Sequence, residues 1–253
     1  MLSVPEVTGR YYVLQFEDLF GTNVHYVGSR TTGTAAGTYL LRGAALGRQL
    51  PDGCDALLQF ETDLVAVIGR SQLLGSGDAE ALGTVMERCR LTPLSDLLGT
   101  ETPPTTAFDW PIWNDEASRD ERFVGYLNAL LLLCQPTHPD EVELMARFAK
   151  IGIAPGEPFD PDAVDPDVRA ALRAGVERAR VAIADRAAHL GETTNGWSAT
   201  EALGSRAFFA GDYLLRAAAR WRDGAATTSW RRTTRSPGWT PTVARSTRPT
   251  TTG

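Results

Sequence analysis

Long apolar runs are missing from this chain. The densest, Leu130 to Cys134, is far shorter than the ~20 residues a helix needs to cross a bilayer, and it falls within a helical pattern. No membrane span is therefore expected. Cysteine and histidine are also scarce. Cys54, Cys89 and Cys134 are widely spaced, form no C-x-x-C and leave an odd count, so they read as buried free thiols rather than a disulfide framework. His25, His138 and His189 are too scattered for a metal site, and no metal or cofactor is expected. Neither G-x-S-x-G nor H-E-x-x-H occurs, and no Cys/His nucleophile arrangement is visible. Catalytic residues are thus unassigned. The start, Met1 to Pro5, lacks the basic and apolar regions of a signal peptide, which favours a cytoplasmic protein. A periplasmic or secreted location stays open if the natural start lies upstream.

What is present is a globular composition, 43% hydrophobic and 22% charged over 253 residues, enough to bury a sizeable core. The net charge of −6 is uneven. From Arg220 onward there are seven arginines and one acid, Asp223, so residues 1–219 carry −12. A body this acidic is a poor partner for nucleic acid, whose phosphates require a basic surface.

The first part reads as short strands. Residues 10–16 are aromatic and aliphatic, Asn23 to Val27 and Thr38 to Leu41 follow, and Ala56 to Phe60 and Leu64 to Ile68 complete the set, with a turn at Leu50 to Gly53. Strands at this spacing with no helices between them predict an antiparallel sheet. From Gly77 the pattern turns helical. Asp78 is expected to cap a helix to about Arg90, burying Ala79, Leu82, Val85, Met86 and Cys89. Ser118 and Glu121 form a capping-box pattern for a helix carrying Phe123, Leu127, Leu130, Leu131 and Cys134. A third helix runs from Pro139 to about Gly152 on Val142, Leu144, Met145, Phe148 and Ile151. Asp165-Pro166 opens a fourth, with Val168, Leu172, Val176, Ala179 and Ile183 in a stripe and Gly191 as its stop. A last segment spans about Arg206 to Ala219. The fold class expected is α+β, with a mostly antiparallel portion at 4–76, a mainly helical portion at 77–219, and a tail at 220–253 too poor in aliphatics to order itself.

Several motifs could carry chemistry. Gly28 to Thr34 has the glycine spacing of a phosphate loop but lacks the lysine and the following helix, so it reads as a Gly/Thr-rich turn. A polar groove at the end of the sheet is the candidate ligand site, formed by Arg30, Thr31, Thr32, Asp18, Asn23 and Arg70, with arginine suited to grip a carboxylate in bidentate fashion. Asp160, Asp162, Asp165 and Asp167 imitate a calcium loop, but Pro161, Pro166 and the missing glycine break it, and helix capping explains them. His25 reads as a satisfied core or groove histidine. Glu17 and Asp18 are adjacent on a strand and face opposite ways, so they cannot pair as acid and base. Phe108, Trp110 and Trp113 form either a stacking platform for a sugar or apolar ligand, or a loop anchored on the helices.

Arg10 to Phe16 with Asp18, Thr22-Asn23, Gly28 to Gly33, Gly37 to Tyr39 and Val67 to Arg70 occur here in an order that resembles a bacterial family catalogued as domain of unknown function 1254. The helical stretch Leu91 to Leu94 and the segment Gly211 to Ala217 fit the same pattern, so the resemblance covers about residues 4–219 as one domain. It implies a longer protein. Members carry further N-terminal sequence, and they usually continue into a β-rich domain of unknown function 1214. We therefore expect a chain truncated at its N-terminus, and a tail that is a shifted reading frame of that second domain. The function expected is a ligand-binding or interaction module. The alternatives are a hydrolytic or carbohydrate-active enzyme whose site needs the second domain, or an inactive truncated product. The expected partners are a small molecule or the missing domain, with self-association through exposed apolar surface.

Overall fold

The computed structural model describes residues 1–43, 49–104, 107–195, 197–199 and 203–221. The tail expected over 220–253 lies outside them from residue 222 on, while residues 220 and 221 are corrected to helix. Strands β1 (Leu2–Val4), β2 (Tyr12–Asp18), β3 (Asn23–Gly28), β4 (Gly37–Arg42), β5 (Ala56–Gln59) and β6 (Val65–Ser71) precede helix α1 (Ala79–Arg88). They form two sheets. One, in the order β3-β2-β6, is antiparallel throughout. The other has the order β5-β4-β1-β7, where β7 is Arg90–Leu91 and only β4 and β5 run parallel. The fold is α+β, as the strand and helix patterns predict.

The alternation of β2 decides what is buried. Tyr12 and Phe16 face the core with Val27 from β3, and Leu2, Val4, Val7, Tyr39, Leu58 and Phe60 close around them. Gly28 stands where β3 crosses β2. A Cβ there would lie 2.4 Å from the Tyr12 carbonyl, so only glycine fits. Val85 of α1 and Cys89 just after it pack on this core.

Two short strands of the β5-β4-β1-β7 sheet escape the sequence reading. β1 is only three residues long yet lies at the centre of its sheet, with Leu2 and Val4 buried. Its partner β7 occupies a stretch read as helical, so Arg90–Leu91 is corrected to strand; the backbones of Met1 and Thr92 extend that pairing. Ala79 and Met86 are also corrected: both are exposed, Met86 to 62%, because the sheets meet only the Val85 side of α1. Asp78 precedes α1 without capping it, its carboxylate gripping Arg10 at 2.7 Å through both oxygens and accepting the Leu74 amide.

The helical part comprises α2 (Leu94–Leu98), α3 (Phe123–Leu131), α4 (Val142–Ala149) and α5 (Pro166–Ala188), then a short hairpin of β8 (Glu192–Thr194) and β9 (Trp197–Ala199), then α6 (Arg206–Phe209) and α7 (213–221). Val124, Leu131, Cys134 and Ile153 form its core with Leu127, Met145, Phe148 and Ile151. Val142 points outward, 54% exposed. Asp165 caps α5 as expected, accepting from the Asp167 and Val168 amides, and Gly191 follows the helix at φ 81°. The capping box is corrected. The Ser118 hydroxyl donates to the Asp115 carbonyl, and Glu121 turns into the protein to hold Arg169 and Arg173. The predicted helix from Arg206 to Ala219 is broken in two: Ala210 (φ 46°) and Gly211 (φ 85°) end α6 and turn the chain into α7.

Candidate functional site

The six residues expected at one end of the sheet are spread along it. Asp18 and Asn23 flank the β2–β3 turn. Arg30, Thr31 and Thr32 follow Gly28 at the opposite end of that hairpin, about six residues or ~20 Å away along β2. Thr31 donates to the Tyr26 carbonyl and Thr32 accepts the Gly28 amide, so both hydroxyls stabilise their own turn. Arg30 lies over the Tyr11 ring at 5.4 Å. Arg70 starts opposite Val13 but reaches along the face to the Gln15 side chain, whose amide donates to Asn23 at 3.1 Å. Asp18 is buried and accepts from the Thr22 amide and hydroxyl; burial pushes its pKa up against those hydrogen bonds. Its neighbour Glu17 faces the other way and pairs with Arg220 at 2.8 Å.

A concavity lies elsewhere, where the turn before α4 meets the corner between α6 and α7. It is a cleft of about 370 Å³ lined by His138, Glu141, Arg206, Phe209, Tyr213 and Arg216, with Asp140 and Asp212 at its walls. The local sequence builds each wall. His138 precedes Pro139, and its Nδ1 accepts the Asp140 amide, fixing the turn that presents Glu141. Ser205 caps α6 through the Phe208 amide, and Asp212 caps α7 through the Leu215 amide. The left-handed Ala210-Gly211 corner between the caps sets Arg206 and Arg216 on opposite sides of one bend.

Arg206 ties the site to both halves of the chain. Its Nε lies 2.9 Å from the Glu61 carboxylate, which follows β5, and its Nη1 lies 2.8 Å from Glu141. Burial works against its charge, but Glu61 and Glu141 outweigh burial and raise its pKa. The Tyr213 hydroxyl also leans on Glu141, at 3.4 Å. Phe20, at the tip of the β2–β3 turn, contacts two guanidinium groups, with its ring centre 5.2 Å from that of Arg206 and 5.9 Å from that of Arg216. Arg216 rests on the Tyr213 ring as well, at 5.0 Å. Among the described residues, no carboxylate lies within ion-pair distance of Arg216.

Two expected site residues support this cleft from behind. The Asn23 amide donates to the Gly204 carbonyl just before α6, and its side chain accepts from Arg220 of α7 at 2.9 Å. Asp18 holds the turn that carries Phe20.

Residues 1–93 match the model of a family described as a protein of unknown function (DUF1254). That span holds the motifs around Tyr11, Arg30 and Arg70 and stops before α2. Among solved structures, the chain is similar to the VPA0106 protein of Vibrio parahaemolyticus, at 19% identity and a TM-score of 0.69, over 90% of this chain and 53% of that one. At that identity the likeness concerns the fold alone. The chain spans about half the length of that protein. No curated protein matches it.

Sequence reasoning missed Phe20, Arg206 and Arg216 as site residues. The one signal present is the segment Gly211 to Ala217, which carries Arg216 and stands out only as part of a family pattern. His25 sits 2.8 Å from the Gln59 carbonyl with its ring edge-on to Phe60. Asp160 caps its own turn at the Asp162 amide, and Asp162 pairs with Arg169. Tyr126 bonds the Ile112 carbonyl and the Asn114 amide, anchoring the tryptophan loop on α3, yet Trp110 and Trp113 stay more than half exposed. No described helix is long and apolar enough to cross a membrane.

Proposed function

We propose that the chain is a small-molecule-binding module whose site is the cleft at the α6–α7 corner. The observation that carries this reading is the cleft itself. Its volume of about 370 Å³ falls at the small end of ligand sites, and a few polar groups converge on partly apolar walls. Those walls are held by the Glu61–Arg206–Glu141 linkage, so the space does not depend on a ligand to stay open. In this reading Asp18 and Asn23 are positioning residues. Arg30, Thr31, Thr32 and Arg70 belong to a second polar surface along the sheet. The test is a screen of small polar fragments by ligand-observed NMR, on the native chain and on Ala207→Trp. Ala207 is an exposed α6 residue on the cleft wall, so tryptophan there fills the space without entering the core. Fragments should bind the native chain and not the variant, at unchanged Tm. Binding that survives the filled cleft would place the site elsewhere.

A second reading concerns interaction. Ala66 to Arg70 of the edge strand β6 are five consecutive exposed residues, with Leu64, Val67 and Ile68 each more than a third exposed. A strand so unguarded is a template for pairing. We propose that it receives the second, β-rich domain that the family resemblance implies, since the similar solved protein is about twice as long. Left uncovered, the edge drives self-association. Ile68→Lys should shift the chain towards monomer on analytical ultracentrifugation, and an unchanged distribution would reject the edge as the contact.

A further inference from the structure

Arg206 and Arg216 stand on the same Phe20 ring, in the same cleft, and differ in one respect. Arg206 has two carboxylates at hydrogen-bond distance. The Arg216 side chain has two aromatic rings and, among the described residues, no hydrogen-bond or ion-pair partner. Other half-buried arginines are matched by an acid: Arg10 by Asp78, Arg169 by Glu121 and Arg220 by Glu17. Rings at 5.9 and 5.0 Å restrict where the Arg216 guanidinium can move, while its donors stay free of an acid among the described residues, which prepares it to grip a planar anion through two parallel hydrogen bonds. The rings also remove part of the freedom that binding would otherwise have to freeze.

Resting on the reading of the cleft as a ligand site, we propose that Arg216 is its anchor for the carboxylate of a small organic acid. The charge of the walls selects among anions. Asp140, Glu141 and Asp212 line the space with Arg206 and Arg216, so a dianion such as phosphate meets twice the net repulsion of the walls that a monocarboxylate does. Phe209 and Ala207 offer the acid's body an apolar surface. Arg206 does not compete for the ligand, since Glu61 and Glu141 both engage it.

The experiment is isothermal titration of the full chain with four probes: benzoate, the uncharged benzamide, benzylamine and inorganic phosphate. Each is run on the native chain, Arg216→Gln, Arg216→Lys and Ala207→Trp, with Tm as a folding control. Benzoate should bind best, weaken at least tenfold in Arg216→Gln and vanish in Ala207→Trp. Arg216→Lys, which keeps the charge and the ring contact but not the paired donors, should fall between. If Arg216→Gln does not fold, weakened benzoate binding in Arg216→Lys supports the anchor, and native affinity in Arg216→Lys overturns it. Benzamide or benzylamine matching benzoate, lost in Ala207→Trp but not in Arg216→Gln, would overturn the carboxylate anchor and leave the cleft as a site. Phosphate binding more tightly than benzoate would overturn the choice of anion. Binding of none of the four would overturn both the anchor and the cleft.

Discussion

The sheet half and the helical half of this protein are held together by different physics. In the first, Phe16, Val27 and Val7 are buried to 1% exposure or less in a continuous apolar core. In the second, the most enclosed side chains include Glu121 and Asn128, both fully buried, and the apolar clusters are smaller. Glu121 fastens α5 to the start of α3 through Arg169 and Arg173. Asn128 donates to the Gly152 and Glu157 carbonyls and accepts the Ala154 amide, closing the loop after α4. Arg206 joins the two halves through Glu61 and Glu141. An apolar core tolerates a change of shape but not a loss of volume, whereas a buried polar linkage tolerates neither the loss of a partner nor the loss of charge.

The comparison is broken most directly by Phe16→Ala, which should cost about 3–5 kcal/mol in chemical denaturation through the cavity it leaves. If the loss is below about 1 kcal/mol, the sheet core does not carry that half. Arg206→Ala should cost about 2–4 kcal/mol, because Glu141 is left buried without its partner. The change to Arg206→Met together with Glu61→Gln and Glu141→Gln should recover part of that loss. Failure to recover any would mean that packing rather than charge is what Arg206 supplies.

Glu121 sharpens the comparison through pH. The Arg173 guanidinium, acting against burial and helped by Arg169, holds its carboxyl down to about 2. A carboxyl depressed in the folded state stabilises above its ordinary value of 4.5 and loses that contribution as pH falls towards 2. Native Tm should therefore drop between about pH 4.5 and 2 more steeply than that of Glu121→Gln. Parallel curves would show that the linkage contributes nothing. The smallest effect is expected at Ala210, which holds φ 46°. Ala210→Gly should stabilise by up to ~1 kcal/mol as the left-handed strain is relieved, and a destabilised variant would show that the α6–α7 corner is not strained.

The strands around Tyr12, Asn23, Thr38, Ala56 and Leu64 were legible because burial of one face prints a period on the sequence. Asp165 and Gly191 were legible because a cap is a local device. Glu121 was misread for the complementary reason. Its spacing from Ser118 fits a capping box, but its partners lie about fifty residues away on α5 and exert no pull on the local pattern. β1 was missed because three residues carry too little periodicity to register, although its position at the centre of a sheet buries Leu2 and Val4. The same limit applies to the cleft. Arg206 and Arg216 sit in a segment whose pattern reads as one continuous helix, and only the left-handed turn at Ala210-Gly211 folds them onto a single ring.

By itself, then, the sequence determined the class of the protein: strands first, helices after, an acidic body and no described helix fit to span a membrane. These depend on composition and on neighbours within a turn or a strand. The tertiary structure decided which charges meet. Arg206 finds Glu61 across 145 positions of chain, while Arg216, ten residues further on, finds two rings and, among the described residues, no acid. Charges pair through space, and a single sequence records their identity but not their distance.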